Sequence, residues 1–144
     1  MKTIFVTGSA GFIGYHLCQL LLNEGFRVAG YDGMTDYYDV ALKQRRHAML
    51  LQHPNFTTTE ALLEDQAALS AAMHAAKPQA IVHLAAQAGV RYSLENPRAY
   101  LDANLVGGFN VLVRDNASQP PRLGIFTATA LQRAILDGRP LDQL

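Results

Sequence analysis

Three glycines at intervals of three residues, Gly8, Gly11 and Gly14, stand in Val6 to Leu17 (VTGSAGFIGYHL) between a β-rich run and an apolar one. Thr3 to Thr7 (TIFVT) reads as a short strand, and Phe12 to Leu22 carries Ile13, Leu17, Leu20 and Leu21 at helical spacing. The order predicts strand, tight turn, helix. Asn23, Glu24 and Gly25 close that helix, with Gly25 as a left-handed cap, and Phe26 to Tyr31 reads as a second strand. A parallel βαβ unit of about thirty residues follows, because parallel neighbours need a crossover.

The alternation continues. A helix is predicted around Val40 to Gln52, a strand near Phe56 to Thr59, a helix over Asp65 to Ala76, and a buried strand over Ala80 to Leu84. Pro97 opens a further helix to about Val113, with Leu101, Leu105 and Val111 as its apolar positions. This predicts a doubly wound α/β fold, a partial Rossmann sheet of about four parallel strands in the order 3-2-1-4 with helices on both faces. Residues 1–113 form the expected nucleotide-binding domain. Arg114 to Gly124 (RDNASQPPRLG) is polar and turn-rich, Ile125 to Leu136 is a helical candidate, and no convincing fifth strand is predicted, so 114–144 reads as a linker plus a C-terminal helix.

A chain of 144 residues can bury a core without staples. Twelve basic and twelve acidic residues cancel, which leaves no electrostatic footprint for nucleic acid or an anionic membrane. The N-terminus has no secretory pattern and no apolar run spans a bilayer, so a cytoplasmic protein is expected. Cys18, the single cysteine, sits inside an apolar helix and reads as core. His16, His47, His53, His74 and His83 form no ligand pair on one helix face, Ser93 lies in no nucleophile elbow, and no metal site is expected.

The glycines gain meaning from their setting. After a strand and before a helix, Gly8 can make the sharp turn, Gly11 can admit a pyrophosphate to the backbone, and Gly14 can let helix and strand pack closely. The helix N-terminus then offers its N–H groups to phosphate. Asp32, at the end of the second strand and 24 positions beyond Gly8, can accept both adenosine ribose hydroxyls and would repel a 2′-phosphate, which favours NAD over NADP. Lys43, Arg45 and Arg46 fall within a helix and read as a solvated face.

The stretches TGSAGFIGYHL, YDGMTDYYDVALKQRR and HLAAQAGVRYSLENPRAYLDANLVGGFNVL resemble the extended short-chain dehydrogenase/reductases, specifically their nucleotide-sugar epimerases of the UDP-glucuronate type. The resemblance spans Met1 to about Leu112. It implies NAD as cofactor, a UDP-sugar as partner, and roles for particular residues. Gly8, Gly11, Phe12, Ile13 and Gly14 match the pyrophosphate loop, Asp32 the ribose carboxylate, and Ala85, Ala86 and Gln87 the small-residue wall after the fourth strand. Arg91, Tyr92 and Ser93 match a loop bordering the sugar nucleotide, and Asn104 an asparagine supporting the site. Plain alternatives stand beside these: a surface arginine, a core aromatic, a local hydrogen bond.

The chain departs from that pattern in two places. Where relatives end the third strand in an Asp-Leu pair, the aspartate reaching the adenine amino group, Leu62 and Leu63 stand here. Leucine cannot accept that bond, and losing a charge-assisted bond costs about 1.5 to 3 kcal/mol, roughly tenfold to a hundredfold in affinity. Leu63 keeps its place among the expected cofactor contacts. The second departure concerns chemistry: the family's YxxxK pair is missing, since Tyr15, Tyr31, Tyr37, Tyr38, Tyr92 and Tyr100 are followed four positions on by Gln19, Thr35, Ala41, Leu42, Asn96 and Asn104. The serine-rich SSxxVYG strand end is missing too, and Arg133 to Asp142 (RAILDGRPLD) resembles a segment well beyond the catalytic helix. These features imply a cofactor half joined to a short piece of the substrate half, without catalysis of its own. Two alternatives stay open: an epimerase half completed by another chain, and an interaction module that self-associates through a fourth strand left as a bare sheet edge.

Overall fold

A computed structural model describes residues 1–117 and 125–126 of the protein. The strands β1 (Thr3–Thr7), β2 (Arg27–Asp32), β3 (Phe56–Glu60), β4 (Ala80–His83) and β5 (Ile125–Phe126) form one parallel sheet in the order β3-β2-β1-β4-β5. The expected 3-2-1-4 order is present. The fifth strand was not expected: Ile125 pairs with Ile81 and Phe126 with Val82, so the predicted helix is not present at its first two residues, and the remainder of that prediction lies outside the described residues. Two residues carry too little pattern to announce a strand, but a parallel neighbour recruits them through the backbone. Over those two pairs β4 is not the bare edge that the interaction-module reading requires.

The central strand organises the core by simple alternation. Ile4 and Val6 of β1 face one side, where they meet Tyr15, Leu17, Cys18, Leu21 and Leu22 of α1 (Phe12–Asn23) and Leu50 of α2 (Val40–Leu51). Phe5 faces the other side with Tyr31, Ile81, Leu69 and Met73 of α3 (Gln66–Ala76), and Val111. All five residues of β1 are buried, as a two-sided parallel sheet demands. Burial raises the Cys18 thiol to about 12, with Asp32 adding to the shift, so the cysteine is an inert core residue.

The ends of the helices follow from local chemistry. Gly25 at φ +84° closes α1 with Gly25 N–H on the Leu22 carbonyl and Phe26 N–H on that of Leu21, the left-handed cap expected there. Asp39 caps α2 by accepting from Ala41 N–H, and Asp65 caps α3 by accepting from Ala68 N–H. Beyond β4, Gly89 at φ +100° turns the chain into a short helix, α4 (Val90–Glu95), a stretch expected to be a loop. The helix opened by Pro97 is α5 (Pro97–Tyr100), which runs through a π-helical segment, Leu101–Val106, into α6 (Gly107–Ala117). The first four residues of the expected linker are therefore helical. No helix among the described residues is long and apolar enough to cross a membrane.

Leu69, wholly buried on the α3 face, should cost about 2 to 5 kcal/mol when replaced by Ala, whereas Leu94→Ala, at 83% exposure, should change stability by less than about 0.5 kcal/mol. Urea unfolding followed by circular dichroism checks both; equal losses would contradict the assigned core.

Candidate nucleotide cleft

The carboxyl ends of β1, β2, β3 and β4 converge on a cleft of about 500 Å³ lined by the glycine turn, Asp32, the chain after β3 and the chain after β4. Its floor is set by contact between backbones. Gly8 sits at φ +74°, and a Cβ there would lie 2.9 Å from the Ala85 nitrogen; a Cβ on Gly14 would lie 2.0 Å from the Gly8 carbonyl oxygen. Neither position can take a side chain. The α1 N-terminus is thereby drawn in at the turn, Gly11 supplies no side-chain cap, and no acidic residue stands in the first turn. Gly11, Phe12, Ile13 and Gly14 all line the cleft, so the positive end of the helix dipole faces it.

Asp32 lies beside this turn and is buried. One carboxylate oxygen accepts from Ala10 N–H at 3.0 Å and the other from Met34 N–H at 2.9 Å, which ties the glycine turn to the loop after β2. Lys43 places its ammonium 3.9 Å from the same carboxylate, donates to the Thr35 hydroxyl at 3.2 Å and lies over the Tyr38 ring. The reading of Lys43 and Arg46 as a solvated face is therefore corrected: Lys43 is 7% exposed, and both residues line the cleft. Arg46 donates to the Ala10 carbonyl and to the Tyr38 hydroxyl.

On the β3 side, Leu62 and Leu63 line the cleft, Leu62 exposed and Leu63 buried. Their backbone is fixed from within. Tyr31 donates its hydroxyl to the Leu62 carbonyl at 2.9 Å, and Asn110 donates its amide to that of Leu63 at 3.0 Å. Burial, with Asp65 and Glu64 adding to it, pushes the Tyr31 hydroxyl up to about 12, which keeps it a donor.

The wall after β4 consists of Leu84, Ala85, Ala86 and Gln87. Thr7 Oγ1 accepts from the N–H groups of Leu84 and Ala85, each at 3.1 Å. At the other end Asn104 grips the backbone of Gln87 twice, accepting from its N–H at 2.8 Å and donating to its carbonyl at 3.1 Å. Asn104 thus acts on the wall from the π-helical segment without lining the cleft itself.

Of the residues expected to hold cofactor, Gly8, Gly11, Phe12, Ile13, Gly14, Asp32, Leu63, Ala85, Ala86 and Gln87 line this one cleft. Arg91, Tyr92 and Ser93 do not. They lie on α4, where Arg91 is exposed, Ser93 donates to the Val90 carbonyl, and the Tyr92 ring stands between those of Tyr37 and Tyr100. No group of three or more His, Cys, Asp or Glu side chains suited to a metal occurs among the described residues.

Comparison with known proteins places this geometry. A family profile described as GDP-mannose 4,6 dehydratase matches residues 5–121. A probable UDP-glucuronate 4-epimerase of Rhizobium meliloti (strain 1021) is 54% identical over 129 residues, covering 90% of this chain and 38% of that protein. UDP-glucuronate 4-epimerase of Thermodesulfobacterium geofontis is 44% identical over 112 residues, 78% of this chain and 35% of its own length. The crystal structure of UDP-glucuronic acid 4-epimerase from Bacillus cereus in complex with UDP-glucuronic acid and NAD superposes with a TM-score of 0.75 at 30% identity, covering 83% of this chain and 38% of that one. The chain spans under two fifths of the length of these relatives.

Because Asp32 satisfies two backbone N–H groups, Asp32→Ala should destabilise the ligand-free chain by about 1 to 3 kcal/mol, and Asp32→Asn by less. Urea unfolding without nucleotide reads this; an unaltered midpoint for Asp32→Ala would show that the carboxylate has no structural share.

Proposed function

Since the chain belongs to the GDP-mannose 4,6 dehydratase family of NAD-dependent epimerases and dehydratases, we propose that its cleft binds NAD and that it is the cofactor-holding portion of a UDP-glucuronate-type epimerase. The observation carrying this reading is the convergence of an uncapped helix N-terminus, a glycine turn closed to any Cβ, and a buried carboxylate on one cleft. Each part answers one part of a dinucleotide: N–H groups for the pyrophosphate, room at Gly8 and Gly14 for close backbone packing, and Asp32 for the ribose hydroxyls.

Asp32 already accepts one N–H on each oxygen, and each oxygen retains a lone pair for a ribose hydroxyl. Lys43, next to one of those oxygens, holds the carboxylate in place and offsets its charge near the phosphates. Ala85 and Ala86 keep the wall thin where a nucleotide would lie, and Arg91, exposed on α4, is the group suited to a phosphate or sugar carboxylate. NAD, when bound, supplies hydride exchange with a sugar carbon. Proton exchange with the sugar hydroxyl has no YxxxK tyrosine in this chain to perform it, so the chain alone binds cofactor without turnover.

Calorimetry with NAD should show binding that Gly11→Val abolishes and that Leu62→Asp, restoring an acceptor at the adenine end, strengthens by about tenfold or more. Absence of heat at millimolar NAD would overturn the reading. Purified chain given UDP-glucuronate and NAD should form no UDP-galacturonate, and turnover by the chain alone would refute the inactive assignment.

A further inference from the structure

Thr7 and His83 end adjacent strands β1 and β4 in register with each other, and their side chains meet at 2.7 Å, Thr7 Oγ1 to His83 Nδ1. Thr7 is fully buried and His83 partly so. A threonine hydroxyl has one proton to give and two lone pairs to accept with. Both lone pairs are in use, one on Leu84 N–H and one on Ala85 N–H. The single hydroxyl proton must therefore point at His83 Nδ1, and that nitrogen must carry a lone pair rather than a proton. The ring is then the neutral tautomer protonated on Nε2.

The consequence reaches the cleft. Leu84 N–H, the first amide past β4, is shared between the Thr7 hydroxyl and the Thr7 carbonyl at 3.3 Å; Ala85 N–H, the second, has the hydroxyl as its acceptor. Ala85 is also the residue whose nitrogen lies against Gly8. The position of the wall relative to the glycine turn thus depends on where one hydroxyl proton points.

We infer that His83 is a positioning residue for the nucleotide cleft: by accepting the Thr7 hydroxyl proton on Nδ1 it commits the Thr7 oxygen to Leu84 and Ala85, and so sets the wall against the glycine turn. It touches no ligand in this role. The inference deepens the nucleotide-binding reading and rests on it for its functional meaning, although its chemistry concerns the protein alone.

A cationic ring cannot do this. Protonated Nδ1 would point a hydrogen at an oxygen whose lone pairs are both occupied, and Leu84 or Ala85 N–H would have to give up its bond to the hydroxyl, Leu84 falling back on the Thr7 carbonyl and Ala85 losing its acceptor. Among the described residues the uncharged Thr7 hydroxyl on β1 bonds the ring, a Cβ placed on Gly108 of α6 would lie 3.9 Å from Nε2, and burial lowers the ring below its ordinary 6.5. With a lowered folded value, the associated stability is fully present above about 6.5 and is lost as pH falls from there toward the folded value.

Nitrogen-15 imidazole spectra of the full chain give the direct test. His83 should show a bare Nδ1 and a protonated Nε2 at neutral pH, and should stay neutral in mild acid. Amide exchange at Ala85 should quicken by about tenfold in Thr7→Val and His83→Leu, be restored in Thr7→Ser and in His83→Asn, whose Oδ1 can stand in for Nδ1, and NAD affinity should follow the same order. A proton on Nδ1, a cationic ring at neutral pH, or unchanged Ala85 exchange in His83→Leu would overturn the inference. Should His83→Leu fail to fold, the wild-type tautomer and the Thr7 pair still decide it. The spectra and exchange need no nucleotide, so failure of NAD to bind would strike the functional reading and leave this one standing.

Discussion

Contact between bare backbones at the carboxyl end of β1 is the constraint on which the rest of the molecule depends. Gly8 touches Ala85 on one side and Gly14 on the other, at distances that leave no room for a single carbon. Through the first contact the chain after β4 is brought against the glycine turn, and through the second α1 starts close to the strand that precedes it. The cleft is what remains between these segments, so its shape is a by-product of packing that the fold needs in any case. That economy explains why a nucleotide-type turn can persist irrespective of what chemistry accompanies it.

Around that contact, side chains serve as struts. Asp32 bridges the turn to the β2 loop, Tyr31 and Asn110 pin the backbone after β3, Thr7 and Asn104 hold the two ends of the wall after β4. Asp32, Tyr31, Asn110 and Thr7 are buried polar groups, where an unmade bond costs about 1 to 3 kcal/mol, while Asn104 is exposed. The same satisfied bonds that stabilise the fold therefore fix the cleft before any ligand arrives, and a preformed cleft spends less of its binding free energy on ordering.

Much of this was legible in the sequence because it rests on local rules. The period of Phe12 to Leu22, the cap at Gly25 and the alternation of strand with helix gave elements whose ends, as far as β4, shift by a residue or so, and the order 3-2-1-4 followed from the doubly wound pattern. The illegible parts depend on contacts distant in sequence. Lys43 looked solvated because helix periodicity says which residues share a face, not which carboxylate lies across from them. Helix α4 hides in a segment whose start is set by Gly89 at positive φ, and β5 is two residues whose conformation comes from a neighbour. The bonds of Thr7 and Asn104 to the wall join residues 77 or 78 and 17 apart, beyond any local pattern.

The residues matched to the sugar side behave differently from those of the cofactor side, and the contrast is physical. Gly8, Asp32, Ala85 and Gln87 are braced by partners in other elements, whereas Ser93 is spent on its own helix and Tyr92 on a ring cluster with Tyr37 and Tyr100, whose hydroxyl donates to the Ala88 and Gly89 carbonyls. A substrate approaching α4 would have to compete with those local bonds, while a dinucleotide entering the cleft competes with none of the struts. The two sets of positions are thus separable in this architecture: those lining the cleft are fixed from other elements, and those on α4 are held by bonds of their own neighbourhood.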